Sequence, residues 1–99
     1  VDREKVIQIL RDAMPELRRK FRVAELSLFG SFARGDNRPD SDVDVLVRFE
    51  PGATVTLFTL GGLLNDLEEL LGRKVDLGTH GSLRPRLRQT VETEMLRVA

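Results

Sequence analysis

At 99 residues, with 40% apolar and 32% charged residues, the chain has the size and composition of one globular domain spanning residues 1–99, not of a disordered segment. Its 16 Lys and Arg balance its 16 Asp and Glu, so no net basic field marks a nucleic-acid binder, and direct RNA binding is not expected. Cysteine is absent, which excludes disulfides, zinc–thiolate sites and cysteine nucleophiles. No stretch approaches the roughly 20 apolar residues of a membrane span and none reads as a signal peptide, so a cytoplasmic location away from the membrane is expected.

The first element is a helix from Asp2 to about Phe21, with Val6, Ile9, Leu10, Ala13, Met14 and Leu17 at helical spacing and Asp2 as N-cap. Pro15 lies inside it and is expected to kink or split it. The cations Arg18, Arg19, Lys20 and Arg22 cluster at its end, either complementing the helix dipole or offering a patch to RNA or a partner. Ala24 to Phe29 reads as a strand, ended by Gly30, after which Ser31 caps a short helical turn through Arg34. A loop rich in Gly, Asp, Asn and Pro runs from Gly35 to Ser41, and a second strand runs from about Asp42 to Phe49. Thr56 to Leu71 is a helix with Leu57, Leu60, Leu63, Leu64, Leu67, Leu70 and Leu71 on one broad apolar face, stopped by Gly72. Lys74 to Leu77 is a short third strand. A last helix is expected from Ser82 to Val98 on the spacing of Leu83, Leu87, Val91, Met95 and Val98. The fold class is therefore α/β (α+β), with a mixed sheet of at least three strands and flanking helices.

The chemistry concentrates between the first two strands, where Gly30-Ser31 is followed by Ser41-Asp42-Val43-Asp44. Alternation along a strand places Asp42 and Asp44 on one face, about 7 Å apart, with Val43, Val45, Val47 and Phe49 on the other. Two ionised carboxylates side by side repel unless a cation sits between them, and hard oxygen ligands favour Mg²⁺. The Gly-Ser turn can offer backbone N–H groups and a hydroxyl to phosphates. Two-metal phosphate chemistry needs more ligands than two, and Asp76, pointing opposite to Val75 and Leu77, is the best third acid. If the helix from Thr56 to Leu71 is a crossover, the strands bearing Asp44 and Asp76 become parallel neighbours. Asp66, Glu68 and Glu69 read as a solvated helix side, Asp36 and Asp40 as turn formers, and His80 as a surface loop residue.

The segments Gly30-Ser31-Phe32-Ala33-Arg34-Gly35-Asp36, Ser41-Asp42-Val43-Asp44-Val45-Leu46-Val47 and Leu71-Gly72-Arg73-Lys74-Val75-Asp76-Leu77 together resemble the minimal nucleotidyltransferases of the DNA polymerase β superfamily. The resemblance covers nearly the whole chain and implies the nucleotidyltransferase fold. It also implies that Gly30 and Ser31 hold the triphosphate of ATP, and that Asp42 and Asp44 bind two Mg²⁺ ions. Asp76 would bind one of these and help deprotonate the acceptor hydroxyl. Arg34 and Ser41 are counted with the nucleotide-binding residues, Arg34 alternatively pairing with loop acids. In this family the expected partner is a HEPN protein, an RNA-cleaving toxin that the nucleotidyltransferase neutralises as antitoxin by transferring AMP to a toxin tyrosine. The absence of Tyr here agrees with an acceptor on another molecule.

Arg84, Arg86 and Arg88 open the last expected helix, as a face for the toxin or RNA phosphate or as a solvated edge. Two alternatives to AMP transfer remain open from sequence: a non-catalytic antitoxin acting by occlusion, and transfer to RNA or a small-molecule hydroxyl. A homo- or hetero-oligomer is compatible with either.

Overall fold

The N-terminal helix α1, Arg3–Phe21, buries Val6, Leu10, Met14 and Leu17, a stripe at helical spacing that faces the core. Pro15 interrupts neither half of it. The proline is exposed, and the stripe residues on both sides of it pack into one cluster, so tertiary burial outweighs the single lost backbone link. The computed structural model describes residues 3–35, 38, 41–79 and 96–98. Asp36, Asp40, His80 and the segment carrying Arg84, Arg86 and Arg88 lie outside them.

Beyond α1 the chain forms β1 (Val23–Phe29), the one-turn helix α2 (Gly30–Arg34), β2 (Val43–Phe49), α3 (Leu57–Leu71), β3 (Val75–Thr79) and β4 (Leu96–Arg97). The strands make one four-stranded sheet in the order β3-β2-β1-β4. β1 is antiparallel to both of its neighbours, whereas β2 and β3 are parallel. α3 is the crossover that parallel pairing requires. It is set at one end by a capping box between Thr56 and Thr59 and at the other by Gly72, which is left-handed at φ 63°. Its buried stripe, Leu63, Leu67 and Leu71, is narrower than the sequence suggests, and Leu57 is 85% exposed at the first turn.

The expected last helix is corrected at its end. Leu96 and Arg97 pair with Leu28 and Ser27 of β1, and Val98 N–H donates to the Leu26 carbonyl at 2.8 Å. The free edge of β1 accepts these residues as a strand, a long-range demand that helical spacing does not register. Residues 80–95 of that expected helix lie outside the described ones.

The core lies between the helices and one sheet face. Val43, Val45 and Val47 of β2, Leu26 and Leu28 of β1, and Val75 of β3 meet the α1 and α3 stripes there. Strand alternation sends the intervening residues Asp44 and Asp76 to the second face. Ser27 and Leu46, cross-strand neighbours on that face, are also buried. No helix among the described residues is long and apolar enough to cross a membrane.

Candidate active site

Strand register, not chance proximity, assembles the acidic site. In the parallel β2–β3 ladder Asp44 stands opposite Asp76, and in the antiparallel β1–β2 ladder it stands opposite Phe29. Neighbouring strands are roughly 4.8 Å apart, so the Asp44 and Asp76 carboxylates share one face at close range, where the charge of Asp76 disfavours ionisation of Asp44. Asp42, exposed just before β2, lies two residues upstream on the same alternation.

Gly30 opens α2 directly after Phe29 and has φ +70°. A Cβ at this position would collide with Asp44 Oδ2, so glycine is required both for the left-handed turn and for the carboxylate resting against it. Ser31 follows as the second residue of α2. Arg34 ends that helix, and its charge acts on Asp44. The Ser41 hydroxyl accepts the Arg38 N–H at 2.8 Å, and the Ser41 N–H donates back to the Arg38 carbonyl at 3.0 Å. Ser41 thus closes a tight turn immediately ahead of Asp42.

The electrostatics follow from this convergence. Burial first, then the charges of Asp76 and Asp42, push the Asp44 carboxyl from the ordinary 3.8 up to about 6, and Arg34 opposes the rise. Among the described residues no three acidic, histidine or cysteine side chains close into a group that would cage a metal alone. Mg²⁺ does not need such a cage, because it is typically held by one or two carboxylates completed by water and substrate phosphates. The hard oxygen donors of Asp44 and Asp76, with Asp42 beside them, fit that requirement. Opposed carboxylates on a sheet face gain more from a bound divalent cation than from any arrangement of their own.

Sequence reasoning gave no role to Arg73 and read Glu68 as part of a solvated helix side, yet both brace the site. Arg73 Nη2 donates to the Ser41 carbonyl at 2.5 Å, and Glu68 Oε2 accepts the Val75 N–H at 3.1 Å. Nothing in the sequence marks Arg73, because its partners at Ser41 and Phe32 are distant along the chain. Elsewhere, a groove of about 610 Å³ between α1 and α3 has an apolar floor of Ile9, Ala13, Leu17 and Leu70 and charged walls that include Asp12, Lys20 and Glu69. It lies on the helix layer, across the sheet from the carboxylates.

The sequence profile of the nucleotidyltransferase domain matches residues 8–98. The protein adenylyltransferase MntA of Thermococcus cleftensis is 41% identical over 95 residues, which cover 96% of this chain and 94% of that protein. A solved structure described as a minimal nucleotidyltransferase is similar at TM-score 0.79 and 40% identity, covering 97% of this chain and 95% of that one. The fold is also similar, at TM-score 0.61 and 26% identity, to a chain in a structure of the tri-AMPylated Shewanella oneidensis HEPN toxin in complex with MNT antitoxin. That match covers 98% of this chain and 68% of the other.

Proposed function

This chain belongs to the nucleotidyltransferase domain family, among its minimal adenylyltransferase members, and from that premise we propose that it transfers AMP from ATP to a tyrosine hydroxyl of a cognate HEPN toxin. In this reading it is the enzymatic antitoxin of a toxin–antitoxin pair, acting as one domain over residues 1–99. The observation that carries the proposal is the in-register Asp44–Asp76 pair on one sheet face, with Asp44 resting against the glycine turn at Gly30.

Asp42, Asp44 and Asp76 would hold Mg²⁺, two ions in the family pattern. When bound, the metal supplies positive charge against the oxygens of the reacting phosphate. The turn at Gly30-Ser31 would anchor the outgoing phosphates through its backbone N–H groups, with Arg34 and Ser41 at its flanks. The acceptor oxygen attacks the α-phosphorus of ATP while its proton passes to Asp76. The bond from the α-phosphorus to the bridging oxygen breaks, and pyrophosphate leaves with that electron pair. Asp76 is exposed and can meet an acceptor from solvent, whereas Asp44 is half-buried.

Two features favour a protein acceptor in trans. The chain has no Tyr, so a tyrosine acceptor lies on another molecule. Arg19, Lys20, Arg22, Arg48 and Arg97 each pair with an acid, at Glu16, Asp66, Glu50 and, for the last two, Glu25. With 16 Lys and Arg balanced by 16 Asp and Glu, the chain has no net basic field to draw an RNA backbone, which is bound through clustered Lys and Arg.

The test separates catalysis from occlusion. An Asp42→Ala/Asp44→Ala variant is expected to bind the toxin yet fail to suppress its RNA cleavage in the presence of ATP and Mg²⁺. Full suppression by the folded double variant would replace enzymatic neutralisation with simple occlusion.

A further inference from the structure

Arg73 follows the left-handed stop at Gly72 and stands three residues before Asp76. Its guanidinium spans two other parts of the site. Nη2 donates to the Ser41 backbone carbonyl at 2.5 Å, and the group lies 5.5 Å from the centroid of the Phe32 ring. Ser41 immediately precedes Asp42, and Phe32, fully buried, immediately follows Ser31. One side chain therefore ties the turn before the acidic strand to the helix that begins with Gly30-Ser31. Through its own backbone it ties both to the strand carrying Asp76.

The need for such a tie is visible in the ladder. β2 begins at Val43, whose N–H donates to the Lys74 carbonyl at 3.0 Å, so the sheet itself does not fix Asp42. Arginine suits the position because its planar fork can donate to a carbonyl while its face lies against an aromatic ring. Lysine would retain the charge and one donor but lose the flat face.

We propose that Arg73 is a positioning residue: it clamps Ser41 to Phe32 and thereby sets the Asp42 carboxylate relative to Asp44 and Asp76. The proposal deepens the nucleotidyltransferase reading and rests on it. Arg73 acts through Ser41 and Phe32, not on the reacting atoms.

The test compares wild type with Arg73→Met and Arg73→Lys in the full chain. Amide hydrogen exchange is measured without metal, and kcat and KM for Mg²⁺-ATP are measured in AMP transfer. Loss of a hydrogen bond from a charged donor corresponds to about tenfold or more in an equilibrium. Arg73→Met is accordingly expected to exchange about tenfold faster at the Asp42 and Val43 amides, with β1 and α1 unchanged. Its kcat is expected to fall about tenfold while KM for ATP changes far less, and Arg73→Lys should recover part of both. Unchanged exchange at Asp42 and Val43, exchange accelerated evenly across the sheet, or local loosening with wild-type kcat would each overturn the clamp. If wild type transfers no AMP at all, the functional reading fails, and the exchange comparison still decides whether Arg73 holds Asp42.

Discussion

At the scale of single residues, the site costs the fold stability. Asp44 is ionised at neutral pH in a position where burial, Asp76 and Asp42 all disfavour its charge, so its pKa stands at about 6 against 3.8. For a carboxyl raised in this way the native state holds the proton more tightly than the unfolded chain. The stabilisation from protonating Asp44 is complete below about pH 4 and is lost as pH rises through about 6. Asp44→Asn removes the penalty and is expected to raise the stability of the metal-free protein at pH 7.5 by about 1 kcal/mol, after allowance for the solvent screening of a half-exposed group. Thermal melts in chelator should show the variant melting above wild type, with Mg²⁺-ATP narrowing or reversing the gap. A variant that melts lower in chelator would contradict the electrostatic account. Gly30→Ala tests the other side of the same contact. The φ of +70° and the collision with Asp44 Oδ2 are expected to lower stability by about 1–3 kcal/mol and the transfer rate by at least tenfold, read by melts and initial rates. The acids and the glycine were legible in sequence because paired carboxylates and a strand-ending glycine need a reason to be where they are. Arg73 was not, because a lone arginine after a helix stop announces nothing until its partners at Ser41 and Phe32 are placed.

At the scale of elements, what was legible divides by how local the determinants are. α1, β1, β2, α3 and β3 follow from periodicity and from stops within a few residues, and their observed bounds lie within a residue or two of the expected ones. α3 is the clearest case, with Thr56 capping its first turn and Gly72 closing its last. Gly72→Ala would force a β-carbon onto a left-handed residue with no neighbouring atom in the way. The cost should therefore be backbone strain alone, about 1 kcal/mol, seen as a lower denaturation midpoint with unchanged m-value. A loss several times larger would mean that this turn carries packing the structure does not show. Two expectations, a split of α1 at Pro15 and a last helix running to Val98, failed for non-local reasons. Pro15 does not split α1 in two because the stripe on both sides of it is held by the same core. Leu96–Arg97 is a strand because β1 offers an unpaired edge, and no property of the residues themselves records that edge.

At the scale of the whole molecule, topology turns distant residues into a site. The parallel β2–β3 pair, made possible by α3, brings Asp76 to Asp44 across 32 residues of sequence, and the antiparallel β1–β2 pair delivers Gly30 to the opposite side of Asp44. The expectation that the two acid-bearing strands are parallel neighbours is borne out, whereas their exact register needed the structure. Family membership fixes the class of chemistry, and the sheet face that bears the carboxylate pair is where we propose that it occurs. The measurement that tests this most directly follows α-labelled ATP, with Mg²⁺, onto the protein encoded beside this chain, the partner proposed to be a HEPN toxin. It is made with wild type and with the Asp42→Ala/Asp44→Ala variant and read by gel and mass spectrometry. AMP on a tyrosine of the partner with wild type, and none with the folded variant, is the expected result. Label transferred equally by both proteins would show that the aspartate cluster is not where the chemistry occurs, and would contradict the account.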